Sequence, residues 1–327
     1  MPGGPGGKNP YSAPMQTILT ITIPFFALIF AGYVAARRSW VPTAAVPAFN
    51  GFLLYFAVPA MLFRFASLTP FGEIANGELF LAWTAAGLVV LLATTWLARR
   101  LGLRLREAAF MGLAGGVGNL GFLGVPLLVA LLGERAAAPT IVAIVADLAV
   151  LASVGLAIAH HDPADGEEGQ GAREIAARVL LNPMLVAMSL GALFSYHGWR
   201  PWTPVDEMVR LLANAAGPCA LFAIGVSLVR PDAPLRAPVV ALPVVAKLVV
   251  HPLVAALVLW AAGVDRFAAL VATFAAALPS AGWVFIFAER HDAQAGRVSA
   301  AILLTTALAF VSFSALVWLL GVSPPPR

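Results

Sequence analysis

Ten apolar runs, each near the length that crosses a bilayer, decide what this chain can fold into. A membrane-spanning helix takes about 20 mostly apolar residues. Such runs cover 15–36, 45–66, 78–98, 107–132, 139–160, 175–196, 206–229, 237–262, 267–289 and 298–321. Only 11% of the 327 residues are charged and 61% are hydrophobic, whereas a soluble domain carries about 25% charged residues. Too little polar side chain remains to cover a water-facing surface. In hydrocarbon every backbone group must be satisfied within the fold, so apolar runs of this length read as helices. The expected class is an all-α polytopic membrane protein. The first run exceeds the core of a secretory signal, which is about 7–15 residues, so it reads as a retained helix. The Gly/Pro-rich residues 1–14 before it read as disordered. A net charge of +4 does not suggest nucleic-acid binding, and the lone Cys219 excludes an intrachain disulfide.

The loops are short and their charges orient the chain. Sorting basic residues by alternate loops puts twelve on one side and seven on the other, with Lys247 inside a span. The richer side is expected to be cytoplasmic. Both termini then face outward, and the central acidic linker "HHDPADGEEGQGAR" faces the cytoplasm of a cell (inner) membrane. His160, His161 and Asp162 stand at the edge of this linker without further ligands, so no metal site is assigned.

The linker, 161–174, divides the spans five and five, which invites a search for a repeat. At a separation of 159, Pro24 matches Pro183, Gly32 matches Gly191, Pro59 matches Pro218, and Leu62 and Phe63 match Leu221 and Phe222. Toward the fourth and ninth spans the separation becomes 153, where Pro126 matches Pro279. Five spans per half is an odd number, so the halves 15–160 and 175–321 are expected as inverted five-helix repeats, a plan common in secondary transporters.

Two of the spans are interrupted. The fourth contains "GVGNLGFLGVP", with Gly118, Asn119, Gly121 and Pro126. These residues are poor choices for a helix interior, yet the run is long enough for only one crossing. The break is therefore expected near mid-depth. The ninth carries "LPSAGW", with Pro279, Ser280, Gly282 and Trp283. Unwound backbone at that depth must be buried in protein or line a wet cavity. Half-helix N-termini there suit a carboxylate. These eight residues form the expected substrate site. Asp147 in the fifth span and Lys247 in the eighth are costly in a membrane. They are expected to couple transport or compensate charge, or else to pair with each other, with a proton or sodium ion as the coupling species. No catalytic or nucleotide-binding motif is present, so an enzyme is not expected, nor an organic cofactor.

"GNLGFLGVPLL", "LPSAGWVFIFAERHD", "NPMLVAMSLGALF" and "PCALFAIGVSL" together resemble the auxin efflux carrier family, which includes plant auxin exporters and bacterial carriers of organic acids. The resemblance runs over about residues 15–321 in the same order. It implies ten transmembrane helices in two inverted repeats, with broken helices 4 and 9 crossing. It implies a scaffold of helices 1, 2, 6 and 7 and a mobile transport domain of helices 3–5 and 8–10, moving as an elevator. It also implies homodimers through the scaffold. By position, Asn119 and Pro126 correspond to the family's crossing residues in span four and Pro279 to that in span nine, and Lys247 sits where relatives carry a basic residue. Ser280 stands where plant carriers have Gln, and Trp283 adds an aromatic, so auxin is not carried over as the substrate.

The expected function is secondary transport of a small organic anion, auxin-like or a dicarboxylate, with export implied by the family. The rivals are a sodium-coupled importer resembling the bile-acid symporters and a non-transporting membrane sensor.

Overall fold

A computed structural model describes residues 15–161, 181, 183–227, 229, 237–291 and 293–321. The N-terminal segment 1–14, most of the linker and Asn182 lie outside the described residues. What is described is helical. The elements are α1 (Met15–Arg37), α2 (Thr43–Leu68), α3 (Phe71–Arg100), α4 (Leu105–Gly116), α5 (Leu120–Leu132), α6 (Glu134–His160), α7 (Pro183–His197), α8 (Thr203–Ser227), α9 (Ala237–Ala261), α10 (Arg266–Ala276), α11 (Trp283–Arg290) and α12 (Ala295–Leu319).

Six of these helices hold a stretch long and apolar enough to cross a membrane: α2, α3, α6, α8, α9 and α12. They coincide with the second, third, fifth, seventh, eighth and tenth apolar runs. The fourth and ninth runs are each divided in two, and shorter apolar helices occupy them. Large apolar side chains lie open on the flanks of the long helices, among them Leu81, Trp96, Leu257, Trp260, Val311 and Trp318. Apolar exposure on that scale is what hydrocarbon, not water, would solvate. The chain is a polytopic membrane protein.

Proline would stop several of these helices. Its ring clashes with the carbonyl one turn back, and it brings no amide donor. The chain passes three prolines by widening the turn before each. Wide π turns span Leu53–Ala57, Leu120–Gly124 and Ala246–Val250, and Pro59, Pro126 and Pro252 follow each by two residues. In each case the next amide reaches back five residues, Val58 to Leu53, Val125 to Leu120 and His251 to Ala246. Single π turns of this kind concentrate at functional sites. A fourth, Asp147–Leu151, has no proline behind it and begins at a buried acid.

Glycine sets the closest helix contacts. α1 packs on α8 and α7 on α2. A side chain at Gly32 would fall on the carbonyl of Phe222, one at Gly225 on that of Ile29, and one at Gly191 on that of Phe63. Small residues that let backbones meet are the usual basis of helix pairing in lipid. Arg64 and Asp206 add an ion pair of 2.6 Å between α2 and α8. At another point Glu107 of α4 binds Arg297 of α12 at 3.5 Å and accepts from Gln294 at 2.7 Å.

Replacing Gly225 with valine should force α1 and α8 apart. We expect a loss of about 1–3 kcal/mol, read as a lower melting temperature in detergent. Gly51→Ala meets nothing within 4 Å and should leave melting unchanged or raise it slightly, because alanine favours helix by about 1 kcal/mol.

Candidate functional site

The two interruptions meet and repair each other. α4 ends at Gly116, and Val117 turns to extended backbone at φ −116°, ψ 132°. α10 ends at Ala276, and 277–282 lead into α11. Gly118 and Ser280 face each other as an antiparallel bridge. The Asn119 amide donates to the Pro279 carbonyl at 2.8 Å, and the Ala281 amide donates to the Val117 carbonyl at 3.3 Å. Side chains take the amides that remain at the bridge. Asp147 Oδ2 accepts from Gly118 at 3.4 Å, and Thr305 Oγ1 accepts from Ser280 at 3.2 Å. The Ser280 hydroxyl donates to the Ala114 carbonyl at 2.6 Å, one of the acceptors left open at the end of α4.

Gly118 stands opposite Ser280, and the two prolines of the interrupted runs sit differently about this bridge. Pro279 lies at the bridge and supplies a carbonyl. Pro126 lies beyond it in α5, behind the π turn, and approaches Gly217 of α8, where an added side chain would come within 3.6 Å. The helix interruption is at 117–119, where glycine permits extended backbone and close approach, and not at the proline, which the wide turn absorbs. Gly118 itself has no room to spare: a side chain there would come within 3.2 Å of Lys247 Nζ and of the Ala275 carbonyl.

Beside the bridge, four polar side chains from α3, α6 and α9 come together. Trp83 Nε1 donates to Asp147 Oδ1 at 2.8 Å. Lys247 is fully buried, donates to the Ala276 carbonyl at 3.0 Å and contacts His251 Nδ1 at 2.8 Å. Ala276 is the last residue of α10, so the ammonium meets the negative end of a helix dipole. The His251 ring lies 5.3 Å from that of Trp83, and its Nε2 is buried without a partner. Asp147 and Lys247 thus flank the bridge without a direct hydrogen bond to each other.

A cavity of about 20 Å³ adjoins the bridge. That holds about one water molecule. Asn119 lines it from the extended stretch, Gly121 and Phe122 from α5, and Trp283 from α11. Asp147 and Leu148 close one wall and Met184 of α7 another. Asn119 is 4% exposed, and its side-chain amide has no partner among the described residues. The backbone amides of Gly121, Phe122, Gly282 and Trp283 also meet no acceptor among the described residues. They belong to the first turns of two half-helices, where free N–H groups and the dipole favour an anion.

Of the residues expected from sequence, Asn119, Gly118, Gly121, Trp283 and Asp147 line this cavity. Gly282 stands between the lining residues Ala281 and Trp283 but is not itself in the lining. Ser280 is fully buried and turned toward Ala114, Lys247 is buried outside the lining, and Pro126 stands away from it. Sequence reasoning did not assign Met184, Phe122, Trp83 or His251 to the site. Met184 had a signal, because it follows Pro183 in one of the motifs that carry the family resemblance. Among the described residues no group of three metal-ligating side chains occurs.

The family described as "Membrane transport protein" matches residues 17–319. A protein of Rhizobium meliloti named "Putative malonate transporter" is 34% identical over 314 residues, covering 94% of this chain and 97% of that protein. The "Uncharacterized transporter YfdV" of Escherichia coli is 26% identical, with 88% and 93% covered. An "Uncharacterized transporter" of Methanothermobacter thermautotrophicus is 25% identical, with 91% and 95% covered.

Ser280→Ala should leave the Ala114 carbonyl buried and unpaired. The expected cost is about 1–3 kcal/mol, seen as a drop in melting temperature in detergent. Ser280→Thr, which keeps the hydroxyl, should lose less; an alanine variant as stable as the parent would deny the latch.

Proposed function

This chain belongs to the membrane transport protein family, that of the auxin efflux carriers, and on that footing we propose that it is a secondary active transporter of a small organic anion. The observation that carries the proposal is the cavity at the crossing. Two half-helix starts at this crossing present four amides that meet no acceptor among the described residues, and the Asn119 side chain, also without a partner among them, lines the cavity. An anionic carboxylate is the group such donors bind. The printed name of the Rhizobium meliloti relative makes malonate, a short dicarboxylate, the first ligand to test.

The reading includes ten spans arranged as inverted repeats, 15–160 and 175–321, joined by the linker 161–174. Two sets of contacts support it. Gly32 meets the Phe222 carbonyl and Gly191 meets that of Phe63, and both the glycines and the phenylalanines are 159 residues apart. At the bridge, Asn119 to Pro279 and Ala281 to Val117 are the same hydrogen bond made in each direction. In this reading helices 1, 2, 6 and 7 form a scaffold through which two copies pair, and helices 3–5 and 8–10 form the unit that moves. The cavity has Met184 of the scaffold as one wall. Sliding the moving unit along that wall would widen a space now fit for one water and expose it to each side in turn. The protein resides in the cell membrane, with both termini outside and the central linker in the cytoplasm.

Purified protein in liposomes loaded with unlabelled malonate should exchange it for labelled malonate added outside. Saturable binding with no exchange would favour a sensor over a transporter. Exchange of other short carboxylates alone would keep the transporter and change its substrate. Asn119→Ala should weaken half-saturation about tenfold or more, the loss of one hydrogen bond to a charged group at about 1.5–3 kcal/mol. An unchanged value would remove Asn119 from the site.

A further inference from the structure

An acid lines a cavity built for an anion. Asp147 is 3% exposed and shares the lining with Asn119 and the two half-helix starts. Its oxygens face N–H groups, Trp83 Nε1 at 2.8 Å and the Gly118 amide at 3.4 Å. A metal cation would need oxygen ligands gathered on the same spot, and donors hold both carboxylate oxygens instead. Beyond the bridge, Lys247 binds the Ala276 carbonyl and His251.

The ionisable groups facing Asp147 from the surrounding helices are Lys247 and, behind Trp83, His251. Other charged residues of α3 and α4, namely Glu78, Arg99, Arg100, Arg106 and Glu107, stand at helix ends. α6 brings Glu134, Arg135 and His160, again at its ends. With the cavity empty, the carboxylate of Asp147 and the ammonium of Lys247 balance. When a substrate carboxylate enters, one positive charge serves two negative groups in a space of low dielectric. Two carboxylates sharing one site cannot both remain ionised cheaply, and uptake of a proton relieves them.

We propose that Asp147 is the coupling residue of this transporter: it takes up one proton from the side on which the anion enters, and it releases the proton to the side on which the anion leaves. The proposal rests on the transporter reading above and adds the co-transported ion. Its consequence is directional. An inward proton gradient drives uptake of the anion, opposite to the export that the family resemblance implies. His251 contacts the Lys247 Nζ at 2.8 Å and is not among the residues that line the cavity.

The test uses the full chain in liposomes, with labelled malonate as the probe and the voltage clamped at zero by potassium and valinomycin. The exchange assay without gradients is run first, with malonate and then with other short carboxylates; failure of all of them in the unmodified protein defeats the transporter reading itself. Given exchange, an interior one pH unit more alkaline should accumulate malonate about tenfold, the ratio for one proton per anion. Uptake that follows a sodium gradient and ignores the pH gradient overturns the proposal. In Asp147→Asn the ratio of uptake with and without the pH gradient should fall to near one, whatever the absolute rate. Retention of the full ratio in that variant also overturns it. If the variant does not fold, Asp147→Glu, which keeps a titratable group, should preserve the ratio while changing its midpoint pH; a ratio of one there counts against the residue.

Discussion

Everything in this fold depends on the rule that backbone polar groups cannot be left open in an apolar medium. Two helices stop halfway, and each stop strands amides and carbonyls where no water shell is at hand. The chain answers by bringing the stops together. Val117–Asn119 and Pro279–Ala281 hydrogen-bond as a minimal antiparallel pair, and Asp147, Thr305 and Ser280 satisfy neighbouring groups. Leaving even one such group unpaired costs about 1–3 kcal/mol. The crossing is therefore both the most expensive place in the fold and the most tightly specified.

What this repair leaves over is the chemistry. Pairing consumes the amides of Gly118–Leu120 and Ser280–Ala281 but not those of the two residues that follow each. The half-helix starts at Gly121–Phe122 and Gly282–Trp283 therefore face the cavity with donors unspent. Close behind, Lys247 caps the carboxyl end of α10 while Asp147 caps the amide of Gly118. Opposite charges are held at opposite dipole ends instead of on each other. A direct ion pair would quench both charges. Held apart, each stays available to answer a charge arriving in the cavity.

Much of this was legible from residue order alone. The clusters of glycine and proline in the fourth and ninth apolar runs announced two breaks, because few other reasons place such residues in hydrocarbon. Asp147 and Lys247 stood out by the cost of burying charge. Other features depend on which residues face one another. Pro126 looked like the breaking residue but is absorbed by a π turn, and the extended stretch lies nearer Gly118. Ser280 looked like a ligand group, yet its hydroxyl is committed to the Ala114 carbonyl 166 positions away. His251 carries no local signal of its own, and only the fold sets its Nδ1 2.8 Å from Lys247 Nζ.

The sequence by itself determined the solvent, the helical class and the existence of two breaks. Those follow from hydrophobic run length and from the intrinsic conformational cost of glycine and proline, which are local properties. Only the tertiary structure decided that Gly118 faces Ser280, that Met184 closes the cavity, and that Asn119 keeps its amide free while Ser280 does not. Hydrogen-bond partners across a crossing are chosen by the relative placement of helices distant in sequence, and no local propensity encodes that choice.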